Sequence, residues 1–201
     1  MLKIYGVTAS RAFRTLWMAN ELGLEYENIG FHFKDGSTKS TEYLAINPNG
    51  RIPAIVDDGF ALWESMAINL YLAKKYDMGF RPRTLEDEAL ILQWSFWVMT
   101  EVEKPALALL FHTLVLPEAE RNPKIVDDSV RQLQSPFKVL DAALSKAGYL
   151  VGSGFTLADL NVASVLVWLK MARMDLGAFP KIKEWLDNAL RRPAALKASG
   201  R

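Results

Sequence analysis

Cysteine is absent from all 201 residues. That excludes structural disulfides, thiolate metal sites and a cysteine nucleophile together. Any thiol chemistry must therefore use a thiol carried by a small molecule. Histidine is nearly absent too: His32 and His112 lie far apart, with no paired acidic cluster beside them, so no metal site is indicated. Charge of one sign is lacking. A net charge of +1 gives neither the basic field that nucleic acid requires nor a polybasic stripe for anionic lipid. No stretch reaches the roughly 18 charge-free apolar residues of a membrane span, and the apolar run from Pro105 to Leu116 is too short. The start, Met1-Leu2-Lys3-Ile4-Tyr5-Gly6, has no positively charged lead before a long apolar run and looks like a strand. The expectation is a cytoplasmic protein with no nucleic-acid or membrane partner.

What is present is a globular composition, with 50% hydrophobic and 23% charged residues and no low-complexity tract or internal repeat. The two halves are patterned differently. In the first, Leu2 to Tyr5 predicts a strand, and Arg11 to Leu22 predicts a helix stopped by Gly23. A second strand is expected around Glu27 to Phe33. Pro53 to Val56 and Phe60 to Trp63 flank the turn signal Asp57-Asp58-Gly59 as a hairpin, and Ser65 to Tyr76 follows as a helix. After Asp77 to Arg83, a Gly- and Pro-containing linker, only helical patterns remain: Leu85 to about Leu116, Pro123 to about Ala147, Thr156 to Arg173, and Pro180 to Arg191. Thr156-Leu157-Ala158-Asp159 is a capping-box variant, with Phe155 and Leu160 at the staple positions. The expected class is α+β, with a mixed-sheet domain over residues 1–77 and an all-α domain over 85–201.

Three short pieces carry chemistry. Within Asn47-Pro48-Asn49-Gly50-Arg51-Ile52-Pro53, the proline removes an amide from the sheet ladder. It reads either as an edge-strand proline or as a cis Ile52–Pro53 bond that turns the Ile52 main chain outward to pair with an extended peptide. Glu64-Ser65, at a helix start, reads either as a cap or as a pocket in which amides and a hydroxyl take a carboxylate while Glu64 takes an ammonium. Ser10, ahead of the first helix, reads either as a cap or as a hydroxyl facing an anion.

These pieces, in this order, together with Tyr5-Gly6 and Arg14, Glu21-Leu22-Gly23-Leu24-Glu25-Tyr26-Glu27, Glu64-Ser65-Met66-Ala67-Ile68 and the later capping box, resemble the cytosolic glutathione transferases over nearly the whole chain. The resemblance implies a thioredoxin-like N-terminal domain, a helical C-terminal domain, a homodimer, and glutathione as co-substrate. It implies that Ile52, beside a cis Pro53, pairs its main chain with the cysteinyl part of glutathione, and that Glu64 and Ser65 hold the γ-glutamyl end. Ser10 matches the catalytic hydroxyl of serine-type members; Tyr5 would lie inside the first strand, and the missing cysteine excludes the cysteine-type. Arg51 stands where several branches carry lysine or glutamine near the glycyl carboxylate, and Lys39 is a second cation for that end. Met66 stands where arginine is common. The implied activity is transfer of the glutathione thiolate to an apolar electrophile. Glutathione-dependent reductase, isomerase or dehalogenase chemistry on the same site, and a non-catalytic scaffold, are the alternatives. Trp94, Phe96 and Trp97 read as core or interface, whereas Leu107, Leu110, Phe111 and Leu114 suit either an electrophile pocket or ordinary packing.

Overall fold

The computed structural model describes residues 1–32 and 34–200, and these form two compact units: Met1–Arg81 with Arg191–Arg201, and Pro82–Leu190. The first unit is built on a four-stranded sheet. Strands β1 (Leu2–Tyr5), β2 (Tyr26–Ile29), β3 (Ala54–Asp57) and β4 (Phe60–Trp63) lie in the order β2-β1-β3-β4. β1 pairs parallel with β2 and antiparallel with β3, which pairs antiparallel with β4. Ile4 and Ile55, opposite each other at the centre, are fully buried.

Local chemistry sets the element ends. Helix α1 (Ala12–Glu21) stops in a Schellman motif: the Leu24 N–H reaches the Ala19 carbonyl and the Gly23 N–H reaches that of Asn20, with Gly23 at φ +62°. Asp58 and Gly59 both take positive φ, as a two-residue hairpin turn requires, and this fixes Asp57 opposite Phe60. β2 is shorter than expected from the sequence. The Phe31 N–H turns back to the Ile29 carbonyl at 2.7 Å and ends the strand, while the expected end at Phe33 lies outside the described residues. Residues 37–39 form a 3₁₀ turn leading into α2 (Thr41–Ile46), which Ser40 caps through the Tyr43 N–H. Helix α3 runs from Ser65 to Tyr76.

The second unit is helical: α4 (Leu85–Trp97), α5 (Glu103–Leu110), α6 (Pro123–Ala147), α7 (Leu157–Met171) and α8 (Pro180–Leu190). The single helix expected from Leu85 to about Leu116 is interrupted by wide i→i+5 turns at Val98–Val102 and Phe111–Val115. Pro105 accounts for the first, because it cannot donate to the Glu101 carbonyl and its ring crowds that oxygen. α7 is apolar nearly all round and buried from Leu157 to Leu166, the pattern of a central helix. Its capping box forms: Asp159 accepts from the Thr156 N–H at 2.9 Å and hydroxyl at 2.8 Å, and also from the Leu150 N–H and Trp185 Nε1. Burial pushes its carboxyl above the ordinary carboxylate value despite those donors.

A last helix, α9 (Pro193–Ala198), corrects the expected grouping of residues 85–201, since it packs in the first unit against α1. Arg192 grips Glu21 through two bonds of 2.6 and 2.7 Å, and the Asn20 side chain donates to the Ala194 carbonyl. Both contacts join residues more than 170 positions apart, so no local pattern announces them.

Candidate active site

The register of the sheet places the candidate segments. Tyr5 at the end of β1 pairs with Ala54 at the start of β3, and Ala54 pairs with Trp63 at the end of β4. The residues after Tyr5, before Ala54 and after Trp63 therefore emerge at one end of the sheet. Those residues include Ser10, Ile52-Pro53 and Glu64-Ser65. Gly6 draws the first two segments together, since a Cβ there would sit 2.6 Å from the Ala12 Cβ and 3.1 Å from the Ile52 Cβ. At φ +130° the position also disfavours any side chain.

Ser10 is half-buried at the entry to α1. Its Oγ accepts the Ala12 N–H at 3.0 Å and donates to the Val7 carbonyl at 2.6 Å, so the capping use anticipated from sequence is present. The hydroxyl stands at the positive end of the α1 dipole. Tyr5 is 9% exposed within β1 and packs its ring against Phe31 and Tyr43.

The Ile52–Pro53 bond is cis, one of the two readings of that stretch. Ile52 is buried in a cluster with Tyr5, Tyr43 and Ala54. Among the described residues, no hydrogen bond uses its N–H or C=O. The carbonyl one residue earlier, on Arg51, is held by two buried donors: the Tyr43 hydroxyl at 2.6 Å and the Asn47 amide at 2.7 Å. Asn47 also accepts the Asn49 N–H on its side chain and the Gly50 N–H on its backbone. Burial pushes the Tyr43 hydroxyl pKa up to about 12.

Glu64 is exposed and sits at φ +72°, ψ 110°, a sparsely populated conformation for a non-glycine residue. It precedes Ser65, the first residue of α3, which is buried and whose Oγ accepts from the Arg14 guanidinium at 3.4 Å. Arg14 is 1% exposed on α1, and its own carbonyl accepts from Asn69 on α3. The two helix starts carrying Ser10 and Ser65 are thus bridged by a buried cation. Lys39 is exposed, with its Nζ 2.6 Å from the place a Cβ would take on Gly50 and the Thr38 carbonyl 2.8 Å from it, so it lies across the turn leading to Ile52. Arg51 is exposed. The two cations flank the same turn from different positions.

The fold that carries these residues, a β2-β1-β3-β4 sheet unit with a helical unit after it in the chain, has counterparts among known proteins. A family model for the glutathione S-transferase N-terminal domain matches residues 1–74, and one for the C-terminal domain matches residues 102–193. The chain belongs to the glutathione S-transferase family. A probable glutathione S-transferase, GSTF2, of Oryza sativa subsp. japonica is 33% identical, covering 98% of this chain and 95% of that protein. Among solved structures of the family, glutathione S-transferase-I bound with lactoylglutathione superposes with a TM-score of 0.89 at 32% identity, covering 99% of this chain and 98% of that one. Glutathione S-transferase I from mais in complex with an atrazine glutathione conjugate gives 0.89 at 31% identity, over 99% and 96%.

Within the family frame, sequence reasoning missed Arg14 as a contact of Ser65, and Tyr43 and Asn47 as supports of Arg51. Arg14 did figure in the motif, but nothing local shows that it is buried. Asn47-Pro48 figures in the motif as a bend, with no role for the Asn47 side chain, and Tyr43 has no reading from the sequence at all. Among the described residues no helix is long and apolar enough to cross a membrane, and no group of three or more His, Cys, Asp or Glu is arranged to hold a metal ion.

Proposed function

We propose that this chain is a glutathione transferase in which Ser10 stabilises the glutathione thiolate for attack on an apolar electrophile. The observation that carries the reading is the row Tyr5–Ala54–Trp63, which brings a hydroxyl at a helix start, an unpaired main chain at Ile52 and an amide-and-hydroxyl nest at Ser65 to one sheet end. A tripeptide offers a group for each of these functions. Its cysteinyl backbone pairs with Ile52 beside Pro53, its γ-glutamyl carboxylate meets Ser65 and its ammonium meets Glu64. Its glycyl carboxylate meets Lys39, with Arg51 the second cation of that end.

Ser10 then exchanges one acceptor for another. Its proton leaves the Val7 carbonyl for the sulfur, while the Ala12 N–H still donates to Oγ and makes the hydroxyl a better donor. A free thiol with a pKa of about 8.5 is only a few per cent ionised at pH 7. A downward shift of ~2 units, or ~2.7 kcal/mol, makes most of it reactive. A hydrogen bond to a charged sulfur contributes roughly 1.5–3 kcal/mol and the helix start roughly 0.3–1. The two together cover the requirement without a general base, the thiol proton passing to bulk water. The thiolate forms a carbon–sulfur bond, and with a halide substrate the leaving group departs with its electron pair.

The setting that accompanies this reading is a cytoplasmic homodimer acting in detoxification. Exposed aromatics support the assembly: Phe60 at 50% and Trp63 at 38% on β4, and Phe96 at 66% on α4. Retention on immobilised glutathione, with thioether formation from a generic aryl halide, is the expected result. Retention without turnover of any thiol-reactive substrate, or failure of both assays, would favour the scaffold.

A further inference from the structure

We propose that Tyr43 is a positioning residue for the tripeptide. By fixing the carbonyl of Arg51 it aims the Ile52 amide at the docked peptide. The inference rests on the functional reading above and adds a residue that this reading does not use. Tyr43 lies on α2, is 1% exposed, and donates its hydroxyl to the Arg51 carbonyl at 2.6 Å. The Asn47 amide donates to the same oxygen at 2.7 Å. A carbonyl oxygen has two lone pairs, and both are now committed to side chains buried within the unit.

The consequence follows from peptide geometry. The Arg51–Ile52 bond is trans, the cis bond being the one after it. In a trans peptide the C=O of one residue and the N–H of the next point in opposite directions across one rigid plane. Holding the Arg51 oxygen inward, against Tyr43 and Asn47, therefore turns the Ile52 N–H the other way. That N–H has no hydrogen-bond partner among the described residues. The clamp thus presents a donor in a fixed direction before any ligand arrives, which lowers the ordering cost of docking.

The hydroxyl is well isolated for a test. The Tyr43 ring packs on Tyr5 at 5.5 Å and Phe31 at 5.1 Å, contacts that phenylalanine keeps. Tyr43→Phe therefore removes one donor and leaves the packing. Calorimetric titration is expected to show glutathione, and an S-alkyl glutathione that shares its backbone, both bound about five- to tenfold more weakly. Turnover at saturating glutathione and the ionisation of the bound thiol should stay as in the wild type, a split that general destabilisation of the unit would not produce. Tyr26→Phe, which removes a hydroxyl donated to Asn20 in the same unit, is the control and should bind normally. If Tyr43→Phe fails to fold, amide hydrogen exchange in the wild type decides. The Ile52 N–H should exchange readily without ligand and become protected with glutathione; equal exchange in both states overturns the proposal, as does unchanged affinity in a folded Tyr43→Phe. Absence of glutathione binding by the wild type would be a different failure, sinking the functional reading itself.

Discussion

Ser65 stands where α3 opens, and its hydroxyl already accepts from the buried Arg14. Its removal is predicted to weaken glutathione binding about ten- to hundredfold in Ser65→Ala, the range of one hydrogen bond to a carboxylate. A titration giving equal affinity would take the γ-glutamyl end away from this residue. Glu64 makes the converse case, because its φ of +72° costs of order 1–3 kcal/mol and persists only in a surrounding that enforces it. Glu64→Gly should relieve that strain and raise the urea midpoint while lowering glutathione affinity; a lowered midpoint would mean the conformation carries no strain. Tyr43 has a signature of its own in alkali. Its pKa rises from about 10 in the unfolded chain to about 12 in the fold, so the folded state holds the proton more tightly. The stability this brings is complete below pH 10 and is lost as pH climbs from 10 to 12. Melting curves of the wild type should drop across that window more steeply than those of Tyr43→Phe. These residues divide by legibility. Ser10, Ile52, Glu64 and Ser65 were proposed from an ordered motif that also held Arg14, whereas the contacts that Tyr43 and Arg14 make, 8 and 51 positions away, have no local mark.

Among elements, those with chemical punctuation were read correctly. α6 spans Pro123–Ala147 as anticipated because Asn122 caps it, Pro123 opens it and Gly148 closes it at φ +75°. The hairpin and α3 followed from Asp58-Gly59 and from Ser65 for similar reasons. The two wide turns after α4 were missed, since apolar spacing stays helical through a turn that gains one residue, and Pro105 was the only signal. α9 was missed because six residues carry too little periodicity, and its hold comes from Glu21 and Asn20 on α1. That hold is testable. The Glu21 side chain is 7% exposed, so Arg192→Ala leaves a buried carboxylate that still accepts from the Trp17 indole N–H at 2.9 Å. We predict a loss of about 1–3 kcal/mol in urea unfolding. A change below the error of the measurement would mean that α9 is held by apolar packing alone.

At the level of the molecule, a mixed-sheet unit followed by an all-helical unit was legible from the switch in periodicity near residue 80, and the family, with the thioredoxin-like character it implies, from motif order. The zero cysteine count had already required that a reactive thiol arrive with the ligand. What ties these levels together is one physical claim: an alcohol at the start of α1 holds a docked sulfhydryl ionised. Thiolate absorbance of bound glutathione, followed against pH in the wild type and in Ser10→Ala, tests it most directly. The account predicts a thiol pKa ~2 units below that of free glutathione in the wild type and close to the free value in Ser10→Ala, with turnover at pH 7 reduced roughly ten- to hundredfold. Equal thiol pKa values in the two proteins, both binding glutathione, would contradict it.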